Sequence, residues 1–83
     1  MYQIIVSDKA KKQLEKLPSE IRNRIGNALE KIKIRPYHFV LRLVSSPYYR
    51  LRVGDYRVIL DIINDKLVIY VIELGHRRNI YGS

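Results

Sequence analysis

The chain has 83 residues, no cysteine and a net charge of +8. That length accommodates a single domain over residues 1–83, whose core buries only roughly 60% of the surface exposed by the unfolded chain. Disulfides and cysteine-ligated zinc are excluded, two histidines, His38 and His76, make a structural zinc site improbable, and no cofactor is expected. No apolar run approaches the roughly 20 residues that span a bilayer. Residues 1–6 are too short for a signal peptide and run directly into charged sequence. A soluble, cytoplasmic, unprocessed protein with no membrane partner is the expectation. The basic balance favours a polyanionic partner, either nucleic acid or an acidic protein, over a merely solubilising charge.

In chain order, Tyr2, Ile4 and Val6 alternate with Gln3 and Ile5, the period of a first strand. Ser7 offers a helix N-cap, with Asp8 in the first turn. Ala10, Leu14 and Leu17 follow at helical spacing, while Lys9, Lys11, Lys12 and Lys16 lie off that stripe as a solvated basic face. Pro18 ends this helix and Ser19 is expected to cap the next, whose stripe Ile21, Ile25, Ala28, Leu29 and Ile32 stops before Arg35-Pro36. From residue 39 the period changes. Residues 39–44 predict a short edge strand and Ser45-Ser46-Pro47 a turn. Tyr49–Val53 and Tyr56–Ile63 are rich in β-branched and aromatic residues and are joined by Gly54-Asp55, which fits a type II′ hairpin. Residues 67–74, after a turn at Asn64-Asp65, are nearly all apolar and predict a central strand covered on both faces. Gly75 ends it, and a basic tail closes the chain. The order β-α-α-β-β-β defines an α+β fold, a mostly antiparallel sheet with a helical hairpin packed on one face.

The Gly54-Asp55 turn sets a register. Val53 falls opposite Tyr56 and Arg52 opposite Arg57, with Arg50 on the same face as Arg52. Leu51, Val53, Tyr56 and Val58 take the other face, toward the helices. Directly opposed like charges destabilise a strand pair by up to roughly 1 kcal/mol, and an anion bound between them reverses that sign. The alternatives are neutralisation by Asp61 or Glu73, or arginines that splay into water. The tail after the central strand is expected to bring His76, Arg77 and Tyr81 to the same cluster. A phosphate among Arg50, Arg52, Arg57 and Arg77 would meet forked donors suited to its oxygens and fixed charge placed for a transition state. No metal-ligand spacing accompanies them, so cleavage would need an internal nucleophile. RNA supplies one in its 2′-hydroxyl, giving a 2′,3′-cyclic phosphate.

The run Tyr48-Tyr49-Arg50-Leu51-Arg52-Val53-Gly54-Asp55-Tyr56-Arg57-Val58-Ile59-Leu60, followed by Leu74-Gly75-His76-Arg77-Arg78-Asn79-Ile80-Tyr81, resembles the RelE/ParE toxin superfamily. The likeness extends over nearly the whole chain. It implies a RelE-like toxin, a ribosome-dependent endonuclease acting on mRNA in the ribosomal A site. It also implies contacts to ribosomal RNA and a cognate RelB-like antitoxin that holds the toxin inactive. By the same resemblance Arg50 and Arg52 meet the scissile phosphate, in place of the lysines of the best-known member. Arg57 and Arg77 supply further charge, and Tyr81 stacks on or activates the nucleotide. Arginine cannot act as a general base, which leaves the proton to Tyr81, His76 or water. Family members often carry a C-terminal helix after this point, for which the sequence, ending at Ser83, has no residues. Tyr56 and Tyr70 are expected in or near the core, Tyr48 and Tyr49 beside the turn, and His38 in a structural role. The competing readings are a ParE-like inhibitor of DNA gyrase that cleaves nothing, and a non-catalytic nucleic-acid-binding module.

Overall fold

The computed structural model describes residues 1–78. Strand β1 (Gln3–Val6) leads into helices α1 (Asp8–Glu15) and α2 (Ser19–Ile32) and a one-turn helix α3 (Pro36–Phe39). Four further strands follow: β2 (Val40–Arg42), β3 (Tyr49–Val53), β4 (Tyr56–Ile63) and, after a 3₁₀ turn at Asn64–Lys66, β5 (Val68–His76). The sheet order is β1-β5-β4-β3-β2, antiparallel except for the parallel β1–β5 pair. The chain thus starts at one edge next to the centre, crosses one face as helices, enters the far edge at β2 and walks back by hairpins. This is the α+β arrangement expected, with α3 added. The turn α3 makes before β2 was not signalled, because four residues are too few to show a helical period.

Local chemistry accounts for the helix ends. The Ser7 hydroxyl accepts the Ala10 amide at 3.0 Å and donates to the Ile72 carbonyl at 2.7 Å, so one side chain caps α1 and fastens it to β5. Ser19 does not cap α2. It is the first helical residue, Pro18 holds the cap position, and the Pro18 carbonyl accepts the Arg22 amide at 3.0 Å. The Arg22 guanidinium donates to the Leu17 carbonyl at 2.6 Å and closes the end of α1.

The core lies between the helices and one sheet face. Ile25 and Ile32 from α2 meet Val58 and Leu60 from β4 and Ile69, Val71 and Leu74 from β5, all fully buried. The expectation that β5 is covered on both faces holds on the helix side. On the open side Ile72 joins only Leu43 and Ile59 in a small apolar cluster, and Tyr70 remains 38% exposed. Among the described residues no helix is long and apolar enough to cross a membrane.

Candidate nucleic-acid interface

The β3–β4 hairpin has the register that its turn dictates. Gly54 takes a left-handed φ of +59° while Asp55 does not, as a type II′ turn requires. Val53 pairs with Tyr56, Arg52 with Arg57, and Arg50 with Ile59. Leu51, Val53, Tyr56 and Val58 pack toward the helices, so alternation places Arg50, Arg52 and Arg57 on the open face. Arg50 and Arg57 are half-buried and Arg52 is exposed. The floor beside them is the Leu43, Ile59 and Ile72 cluster. Gly75 lies opposite Arg57 on β5 and contributes no side chain over it.

Among the described residues no ion pair joins a carboxylate to Arg50 or Arg52. Glu73 is held by Lys9 at 2.9 Å, and the other ion pair among the described residues joins Lys33 to Glu30 within α2 and its end. Asp61, further along the open face, forms no ion pair within the described residues. Arg52 Nε approaches the Gly54 carbonyl at 3.5 Å, at the outer limit of a hydrogen bond.

The tail reaches the same end of the sheet. The Arg77 amide donates to the Asp55 carbonyl at 2.8 Å, which ties the turn after β5 to the hairpin tip. His76 goes elsewhere. It pairs with Tyr56, and the two rings meet edge-on at 5.4 Å on the helix side. There His76 borders a groove of about 470 Å³ with Lys9 and Gln13 of α1 and Lys16 at its C-terminal end. Its Nδ1 accepts the Arg78 amide at 3.3 Å. The reason is a bulge. Ile59 pairs with Glu73 and Leu60 with Val71, so Ile72 is an extra residue in β5. Beyond it the alternation reverses, and Leu74 and His76 turn to the helix face. Tyr81 lies outside the described residues.

Arg24 of α2 was not singled out by the sequence, yet its guanidinium lies against Gly54 at the hairpin tip. Only the crossing of α2 over the hairpin could reveal this, and no spacing in the chain encodes it. At the opposite end of the sheet the Tyr2 and Tyr37 hydroxyls both donate to Asn64 Oδ1 at 2.8 Å. Loss of hydration holds the Tyr37 phenol above its ordinary value, against a lowering from the Asn64 hydrogen bond.

The class defined here is a small basic α+β protein with a helical layer on one sheet face and Arg50, Arg52 and Arg57 together on the other. The model of the ParE toxin of type II toxin-antitoxin system, parDE, matches residues 4–81. The chain belongs to that family and is a RelE-like toxin of the RelE/ParE superfamily. No curated protein sequence matches it. Among solved structures it is similar to a chain of the RelBE2 toxin-antitoxin complex from Mycobacterium tuberculosis, with TM-score 0.85 and 22% identity over 92% of this chain and 98% of that one. A chain of the archaeal RelE–RelB complex from Pyrococcus horikoshii matches with TM-score 0.81 and 27% identity, covering 95% and 98%. The isolated E. coli RelE toxin matches with TM-score 0.77 and 25% identity, covering 92% and 84%.

Proposed function

We propose that this toxin is a metal-independent endoribonuclease, one domain over residues 1–83, that cuts mRNA in the ribosomal A site. The observation that supports this reading is the direct opposition of Arg52 and Arg57, with Arg50 beside them, on the sheet face opposite the helices. Their like charges oppose the strand pairing, and a phosphodiester between them would offset that repulsion. The 2′-oxygen of the substrate attacks the adjacent phosphorus and the bond from phosphorus to the 5′-oxygen breaks. The products are a 2′,3′-cyclic phosphate and a 5′-hydroxyl. Arg50, Arg52, Arg57 and Arg77 stabilise the charge that gathers on phosphorus-bound oxygens, and the fixed guanidinium groups need no reorganisation at that moment.

Arginine takes up no proton from the 2′-hydroxyl. In this reading Tyr81 and water carry the two proton transfers, the first away from the 2′-hydroxyl and the second to the 5′-oxygen. His76, turned to the helix side, has no direct part. Lys11, Lys12 and Lys16 on the solvated face of α1 would meet ribosomal RNA, which places the protein in the cytoplasm. The solved neighbours include RelE paired with RelB, and by that likeness a RelB-like antitoxin is the partner that holds this toxin inactive.

One observation favours a second reading. The family model that matches is that of ParE, so a gyrase poison without nuclease activity is the competitor. A translation reaction followed by primer extension separates the two. Codon-positioned cuts, absent when the scissile nucleotide carries 2′-deoxyribose, are the expected result. Gyrase-trapped DNA breaks with intact mRNA would overturn the nuclease reading, and neither effect would leave a binding module. Arg57→Ala should retain its fold and lose cleavage by about 100-fold or more, the scale for removing one charge-stabilising donor.

A further inference from the structure

Gly54 takes a φ of +59°, a left-handed conformation that strains a residue with a β-carbon. A β-carbon at Gly54 would sit 3.0 Å from one terminal nitrogen of Arg24 and 3.5 Å from its guanidinium carbon. The Arg24 side chain, rooted on α2, therefore lies directly on the hairpin tip. Arg52, rooted on β3, approaches the carbonyl of the same glycine from the sheet. Two guanidinium groups from different elements converge on one residue.

Neither forms an ion pair among the described residues. Arg24 is exposed and makes no ion pair or hydrogen bond among the described residues, and Asp55, next in the chain, forms no ion pair with it or with Arg52. The contrast with Arg22, two positions earlier, is direct, because that side chain donates to the Leu17 carbonyl at 2.6 Å. The backbone tie from Arg77 to Asp55 adds a third cation-bearing segment at the same tip.

We propose that the hairpin tip is a second phosphate subsite, formed by Arg24 and Arg52 around Gly54. It takes a phosphodiester neighbouring the one held among Arg50, Arg52 and Arg57, with Arg52 standing between the two, so a single RNA strand passes from the open face over the tip toward α2. The inference rests on the RNA reading given above. A guanidinium offers five donors in a fixed fork, and two forks against a side-chain-free glycine leave a strand room to approach.

The test is binding of a ten-nucleotide single-stranded RNA, 2′-O-methylated so that it cannot be cut, measured across a salt series. Arg24→Ala should weaken binding about five-fold at low salt and lower the slope of log K against log salt by about 0.7, the value for one contact to a single strand. Arg24→Lys should keep the slope and recover only part of the affinity, since an ammonium lacks the fork. Lys66→Ala, the same charge change at the far end of β4, should leave the slope unaltered. An unchanged slope in Arg24→Ala, or an equal loss in Lys66→Ala, overturns the subsite. So does a fall in thermal midpoint for Arg24→Ala, which would show a packing role. If Arg52→Ala weakens binding and Arg24→Ala does not, the subsite is wrong and the RNA reading stands. If neither variant changes binding, the RNA reading fails and takes the subsite with it.

Discussion

Arg52 and Arg57 are partners across the hairpin, and their like charges oppose the pairing that brings them together. The cross-strand cost is up to roughly 1 kcal/mol. Replacing Arg52 by threonine removes the repulsion and keeps a residue suited to strands. Arg52→Thr should therefore raise the stability of the free toxin by several tenths of a kcal/mol in low salt, while abolishing toxicity. Denaturant unfolding at two ionic strengths measures it, and the gain should shrink as salt screens the pair. A variant less stable than the parent in low salt would show that Arg52 is held by favourable contacts and is not a strained charge. The register behind this argument was legible, because a two-residue turn with glycine first leaves one pairing. The position of His76 was not. It follows from the bulge at Ile72, and an extra residue in an unbroken apolar run has no signature in the sequence.

The bulge shows what α1 does for the sheet. An extra residue in β5 removes backbone groups from the ladder, and α1 supplies replacements. Ser7 donates to the Ile72 carbonyl, and Gln13 Oε1 accepts the Leu74 amide at 2.7 Å. A leucine at position 13 would leave that amide without its acceptor, at a cost of about 1–3 kcal/mol. Gln13→Leu should accordingly lower the thermal midpoint by at least about 4 °C, and Gln13→Glu, which keeps an acceptor, by less. Equal stability of Gln13→Leu and the parent would mean that water replaces the side chain. The long elements were visible in the sequence, since the stripes of α1 and α2 and the alternation of β3 and β4 repeat often enough to be read. The short and irregular ones were not. Leu67, apolar and grouped with the strand by pattern, instead leaves the 3₁₀ turn with φ of +51° and stands 49% exposed. A left-handed exit at leucine is set by the turn that precedes it, and hydrophobic periodicity carries no information about it. The arginine cluster was legible for the same reason as its hairpin, and Arg24 was missed because it joins the tip through the docking of a distant helix.

Over the whole molecule, a net charge of +8 is confined to extents of 34 × 26 × 22 Å. At an ionic strength of about 0.01 M the Debye length is about 30 Å, so every cation acts on every other, whereas at about 0.15 M it is about 8 Å and only neighbours interact. The opposing attractions are few. The two ion pairs among the described residues each join an exposed side chain to a half-buried one in contact with solvent, and each contributes about 1 kcal/mol at most. Repulsion should dominate, and the thermal midpoint of the free toxin should rise with sodium chloride over this range by about 4 °C, equivalent to roughly 1 kcal/mol in a chain of this size. A midpoint that falls with salt would show that attractive pairs outweigh the net charge. Phosphate separates general screening from a built anion site. At equal ionic strength, screening by phosphate and chloride is nearly the same, so an additional rise in phosphate reports binding together with its general exclusion from protein surface. Exclusion acts on every variant alike, but binding needs the cluster. The phosphate excess should therefore be larger in the parent than in Arg52→Thr. An excess of the same size in both would mean that the arginines on the open face hold no anion together, although the hairpin aligns them.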